Sequence, residues 1–116
     1  MTMGGLEWLV EAYDCNPAPL AEVAPMERFL QELIEALPLH PVADPVWHRF
    51  GGHGGITGLC LLSESHFACH TFPEHRSLTL NLFCCRPRPD FDFEGRLAAI
   101  FEARRVTVRK LARDYA

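Results

Sequence analysis

Reactive side chains crowd into one short stretch of this chain. Ser63-Glu64-Ser65-His66 is followed closely by Cys69-His70-Thr71-Phe72-Pro73-Glu74. Carboxylates, hydroxyls, two imidazoles and a thiol lie close enough to supply a nucleophile, a base and an acid. A strand interior seldom gathers such groups without a use for them, because each competes with the ladder or demands a buried partner. Just upstream, Gly51, Gly52, Gly54 and Gly55 form a flexible loop around His53. That loop lacks the Gly-Lys-Ser/Thr ending of a phosphate-binding loop. Ser65 also lacks the Gly-x-Ser-x-Gly elbow of a hydrolase. Cys69-His70 and Cys84-Cys85 could be drawn as a zinc set, but adjacent ligands give poor tetrahedral geometry, so no metal is expected. His40, His53 and His75 take no role.

The elements that must position these groups follow from hydrophobic spacing. Leu6 to Tyr13 reads as a strand after a Gly pair. Asn16, Pro17 and Pro19 make a turn and a helix start. Met26, Phe29, Leu30, Leu33, Ile34 and Leu37 recur at helical spacing, with Pro25 in the first turn or at a kink. Val46–Phe50 is a short strand, Ile56–Leu62 a buried apolar one, and Ser65–Thr71 a mixed strand or turn. Leu78, Leu80 and Leu82 line one face of a strand reaching Cys84. Phe93, Leu97, Ile100 and Phe101 mark a second amphipathic helix. Val106 and Val108 alternate with Arg105, Thr107 and Arg109 in a last strand. This order implies an α+β two-layer sandwich, a mostly antiparallel sheet with two helices on one face.

Bulk properties set the outer bounds. A chain of 116 residues is one domain, 1–116, small enough that an active site at a subunit contact is plausible. A net charge of -4 gives no reason to expect nucleic acid as a partner. Arg104, Arg105, Arg109, Lys110 and Arg113 read as a solvated strand face. No apolar run approaches a membrane span, and the N-terminus shows no signal-type stretch. The expected location is the cytoplasm, with the five cysteines reduced.

The motifs resemble those of the small prokaryotic S-adenosylmethionine decarboxylases. The resemblance is carried by Gly55-Ile56-Thr57-Gly58, Leu61-Leu62-Ser63-Glu64-Ser65-His66 and His70-Thr71-Phe72-Pro73-Glu74. Trp47-His48-Arg49-Phe50, Leu82-Phe83-Cys84-Cys85 and the early Tyr13-Asp14-Cys15 extend it over nearly the whole chain. It implies a chain that cuts itself between Glu64 and Ser65, giving a β chain of residues 1–64 and an α chain of residues 65–116. In that chemistry the serine hydroxyl attacks the preceding carbonyl, the amide becomes an ester, and β-elimination leaves a dehydroalanine that hydrolyses to a pyruvoyl group. Only serine gives that product, so the resemblance makes Ser65 the cofactor precursor. His70 and the Thr57 hydroxyl match the residues that assist processing.

The pyruvoyl group implied at residue 65 forms a Schiff base with the substrate amine and accepts the electrons left when CO2 departs. Cys85 matches the proton donor that quenches the carbanion; Cys84 leaves the register open by one, and the spacing from His70 favours Cys85. Phe50, Phe67 and Phe72 match an aromatic pocket for adenine and the sulfonium, and Glu74 the carboxylate that holds the ribose hydroxyls. A homodimer of αβ protomers, acting on S-adenosylmethionine for polyamine synthesis, is the implied assembly. The chain departs from many relatives at Phe72, Asn81 and Arg86, where they carry Trp, Asp and Gly. These departures keep two alternatives in view: a pyruvoyl enzyme acting on ornithine or arginine, and a non-catalytic regulatory paralogue.

Overall fold

Alternation along each strand decides which way its side chains face. In the computed structural model, which describes residues 4–116, the first strand β1 (Gly4–Tyr13) buries Leu6, Trp8, Val10 and Ala12 and turns Glu7 and Glu11 the other way. Helices α1 (Pro17–Leu20) and α2 (Val23–Ala36) follow. Four strands come next, β2 (Val46–Phe50), β3 (Gly55–Leu61), β4 (Ser65–Phe72) and β5 (Ser77–Cys84), with a single 3-10 turn at Pro73–His75 between β4 and β5. Helix α3 (Phe93–Phe101) and strand β6 (Arg105–Asp114) complete the order. All six strands form one sheet in the order β2-β3-β4-β5-β1-β6, and every pairing is antiparallel. The meander from β2 to β5 is built from neighbours in sequence. The non-local step is β1, which sits between β5 and β6.

Helix ends obey local chemistry. The Asn16 side chain accepts the Ala18 N–H and Pro17 opens α1. Pro25 lies in the first turn of α2, where its missing N–H costs nothing. Asp92 accepts the Gly95 N–H at the start of α3. Met26, Phe29, Leu30 and Leu33 of α2 and Phe93, Leu97, Ile100 and Phe101 of α3 pack onto the buried side of the sheet. An aromatic knot fixes this layer: Phe29 lies 6.5 Å from Phe67 and 6.3 Å from Phe93, and Trp8 lies 5.5 Å from Phe93, centroid to centroid.

The α+β two-layer sandwich expected from spacing is the observed architecture, with α1 as an added one-turn helix. One expectation is corrected. The segment Ile56–Leu62 is not buried throughout: Leu59 and Leu61 are 55% and 59% exposed. Helices cover only one face, so β3 alternates between a covered side and an open one. The basic residues of β6 lie on an exposed edge strand, where Arg109 pairs with Glu11, Arg113 with Glu7, and Lys110 with Asp90. Among the described residues no helix is long and apolar enough to cross a membrane.

Candidate active site

Ser65 is the first residue of β4 and lies opposite Cys84 of β5. Strand alternation points its side chain to the helix side, where it is 7% exposed. Its Oγ has no hydrogen-bond partner. A buried hydroxyl without a partner costs about 1–3 kcal/mol, so its position calls for a reason. The preceding Glu64 ends a tight β3–β4 connection. Leu62 N–H donates to Ser65 O (3.0 Å), and Ser63 N–H donates to His40 O (2.8 Å). The Cys85 N–H donates to the carbonyl oxygen of Glu64 at 2.8 Å. The Glu64 carboxylate is ion-paired to Arg86 Nε at 2.6 Å. A polarised carbonyl fixed beside an uncommitted hydroxyl is the arrangement an amide-to-ester shift needs, because the Cys85 amide N–H already points at the oxygen on which charge would develop.

Cys84 and Cys85 touch this junction differently. The Cys84 thiol is buried and faces the Ser65 hydroxyl across the strand pair without closing a hydrogen bond to it. Burial pushes its pKa above the ordinary thiol value, and the facing Ser65 hydroxyl and then the nearby Arg88 guanidinium oppose that rise. Cys85 is only half-buried and contributes its backbone amide. The close approach is possible because residue 5 is glycine: a Cβ there would lie 2.1 Å from the Cys84 carbonyl oxygen.

His70 lies five residues further along β4, on the open face. Its Nδ1 is 2.9 Å from Thr57 Oγ1, and the two residues are register partners across β3–β4. Phe50 stands 6.3 Å from the His70 ring and 5.9 Å from Phe72, both edge-on. His70 and Phe72 are roughly stacked at 6.5 Å. Behind this wall Thr71 anchors the strand end: its Oγ1 donates to Leu20 O at 2.7 Å and accepts from Ile56 N–H at 2.9 Å. Glu74 is exposed in the 3-10 turn that follows. A cavity of about 590 Å3, lined by Asp14, Asn16, Arg76, Glu102 and Arg104, opens beyond that turn, at the end of the sheet away from Ser65.

Thr57, His70, Phe50 and Phe72 therefore come together, with Glu74 close in sequence. Ser65, Glu64 and Cys85 form a second group. Phe67, expected to line a pocket, is corrected: it is fully buried against Phe29 on the helix side, because it shares the facing of Ser65 and Cys69. At about 3.3 Å per strand residue, His70 and Ser65 lie about 17 Å apart along β4, on opposite faces. Sequence reasoning missed the Cys85 amide, because a backbone donor carries no residue-type signal. It saw Arg86 only as a departure and did not see Arg88, whose placement depends on the loop after β5.

The comparisons agree with this architecture. The solved adenosylmethionine decarboxylase of Aquifex aeolicus VF5 superposes with a TM-score of 0.78 over 100% of this chain and 95% of that one, at 21% identity. It shares the fold: one antiparallel sheet with helices on one side. A family model described as S-adenosylmethionine decarboxylase matches residues 6–114, so the chain belongs to the S-adenosylmethionine decarboxylase family. A proenzyme of that name from Hydrogenobaculum sp. (strain Y04AAS1) is 32% identical over 81 residues, covering 70% of this chain and 59% of that one. Another from Prochlorococcus marinus (strain MIT 9313) is 36% identical over 86 residues, covering 72% and 65%. An arginine decarboxylase proenzyme from Ignicoccus hospitalis is 30% identical over 78 residues, covering 67% and 54%. The matches thus span 54–65% of the length of these curated relatives.

Proposed function

We propose that this protein is a proenzyme that cuts itself between Glu64 and Ser65, carries a pyruvoyl group at residue 65, and decarboxylates S-adenosylmethionine. The observation that carries the reading is the Ser65 hydroxyl, buried and without a partner, beside a Glu64 carbonyl gripped by the Cys85 amide. Those residues fit the precursor of a pyruvoyl group, since the hydroxyl is free to attack and the oxyanion already has a donor. The Ser65 Oγ adds to the Glu64 carbonyl carbon while the Cys85 N–H donates to the oxygen on which charge develops; the C–N bond then breaks, and the hydroxyl's proton goes to the departing nitrogen, which becomes a free amine. The pyruvoyl group, once made, supplies an electron sink for loss of CO2. The Cys85 thiol holds the proton for the carbon left behind. Phe50 and Phe72 offer faces for adenine and the sulfonium, and Glu74 a carboxylate for the ribose hydroxyls.

A single protomer keeps the His70 group far from Ser65, so the working unit is a homodimer in which open faces stack. A two-fold axis lying between the sheets and across the strands would reverse β4, bringing the partner's His70 end over this Ser65 end. Exposed Leu59 and Leu61 and the half-buried Leu9 and Phe83 give that face an apolar surface to cover. Replacing Leu59 and Leu61 with Glu yields a monomer by sedimentation that no longer processes; a double variant that stays dimeric and cuts normally refutes the stacking.

Intact mass decides the main reading. The wild-type protein gives a β chain of residues 1–64 and an α chain of residues 65–116 blocked at its first residue. A single uncut chain of 13.1 kDa refutes it and favours a regulatory paralogue. A second substrate reading rests on the arginine decarboxylase relative and on Asn81, which donates to Glu7 at 3.3 Å where an aspartate could not. CO2 release measured in parallel from S-adenosylmethionine, arginine and ornithine separates the two, and no release from S-adenosylmethionine ends the first.

A further inference from the structure

Three buried side-chain polar atoms lack a hydrogen-bond partner among the described residues, and two of them flank the junction: Ser65 Oγ and Arg88 Nε. Arg88 comes from the loop after β5. Its Nη1 donates to Pro38 O at 3.2 Å, just before the segment whose His40 carbonyl holds Ser63. Its guanidinium lies beside the Cys84 thiol, the side chain that faces Ser65. Arg88 thus lies next to the thiol that faces Ser65, with its Nε donor left uncommitted. Arg86, by contrast, meets the half-buried Glu64 side chain from the solvent side, with Arg86 itself 71% exposed.

We infer that Arg88 is the cation that receives the leaving carboxylate when the β chain is released. The inference deepens the self-cleavage reading and rests on it. Before the cut, Glu64 presents no charge on this side. After the acyl shift, Ser65 Oγ is the bridging oxygen of an ester to Glu64, and the Ser65 nitrogen is a free amine. Elimination then removes the Ser65 Cα proton to an imidazole base, a role the stacked dimer gives to the partner's His70. The Cα–H electron pair becomes the Cα–Cβ double bond. The Cβ–Oγ bond breaks and its pair leaves on Oγ, which is now one oxygen of the Glu64 carboxylate. Dehydroalanine becomes its imine, and water hydrolyses that imine to the ketone and ammonia. New negative charge therefore appears at the atom that was Ser65 Oγ, on the side where Arg88 Nε waits. The other carboxylate oxygen is the old carbonyl oxygen, already held by Cys85 N–H. A cation placed where charge develops, away from bulk water, acts on the transition state more than on the ground state. It also gives the orphaned Arg88 Nε its partner, but only in the mature protein.

The test separates elimination from the acyl shift. Hydroxylamine attacks an ester but not the intact amide, so it releases an α chain that begins with serine instead of pyruvoyl. Freshly refolded wild-type, Arg88→Met and Arg88→Lys chains are followed by intact mass with and without hydroxylamine. Arg88→Met is expected to mature at least tenfold more slowly and to accumulate a several-fold larger hydroxylamine-sensitive pool, with Arg88→Lys in between. Wild-type maturation kinetics in Arg88→Met, or slow maturation with no ester pool, overturns the inference. Melting temperatures in a Ser65→Ala background show whether Arg88→Met merely fails to fold. If it does, Arg88→Lys carries the decision by the same pool measurement. A wild-type chain that never divides would instead defeat the self-cleavage reading itself, a separate result.

Discussion

The two ends of strand β4 have opposite characters. The Ser65 end is buried, faces the helices, and is gripped by the Cys85 amide donor just after β5 and by the His40 carbonyl, which accepts from Ser63 N–H. The Phe72 end presents His70 to the open face, in an aromatic group with Thr57, Phe50 and Phe72. The buried end can hold a peptide in one geometry while the exposed end can meet something new. The contrast teaches that chemistry adjacent in sequence has been divided by strand periodicity. Five residues is an odd step, so it reverses the face as well as adding length. Two such protomers, stacked head to tail on their open faces, would bring the partner's His70 over the open side of the Ser65 backbone, while the hydroxyl stays on the helix side.

The strongest way to break this comparison is Ser65→Ala. It is expected to abolish division of the chain, leaving the 13.1 kDa species and no CO2 release. Normal maturation of that variant would show that the buried end has no special chemistry. Next in size is complementation. His70→Ala alone is expected to mature about 10²-fold more slowly, the lower margin of what general acid–base catalysis contributes. Co-refolded with Ser65→Ala, up to half of the His70→Ala chains regain normal maturation, because one site per mixed dimer is complete. No rescue would place both groups in one protomer and sink the stacked arrangement.

Gly5→Ala sharpens the buried half. The added methyl meets the Cys84 carbonyl at 2.1 Å, a clash with backbone that cannot rotate away. Overpacking of that kind costs about 1–3 kcal/mol, read by urea denaturation of the Ser65→Ala form. An unchanged midpoint would mean the β1–β5 approach is looser than described.

The smallest effect concerns the thiols. Burial raises Cys69 to about 12 and Cys15 to about 11, so both stay neutral and unreactive near pH 8, while half-buried Cys85 is alkylated first in a mass-resolved time course. The sign for stability follows. Unfolded thiols titrate near 9.0, so the unfolded state loses protons first. The contribution of these two groups is whole below that pH. It falls as pH climbs toward 11–12, by about 1.4 kcal/mol per unit for each thiol at most. Cys15 or Cys69 reacting as fast as Cys85 would contradict the packing.

Much of this was legible in the chain. Residue spacing gave the strands and the two long helices because side-chain direction repeats every second residue in a strand and every third or fourth in a helix. The crowd of reactive groups between Ser63 and Glu74 was visible for a related reason, since such residues are costly in a sheet interior without work to do. The facing of Phe67 was legible too, two residues from Ser65, yet type alone made it look like a pocket wall. Leu59 and Leu61 looked buried because apolar type does not say whether a second layer covers the sheet.

By itself, then, the sequence determined the elements, their patterning, and a serine whose neighbours fit self-cleavage. Only the tertiary structure decided that β1 would insert between β5 and β6, that the Cys85 amide would grip Glu64, and that Arg88 would lie beside Cys84 and donate to Pro38 O. Those outcomes depend on contacts between residues far apart in the chain and on backbone donors that every residue carries alike, and neither leaves a mark in local residue type.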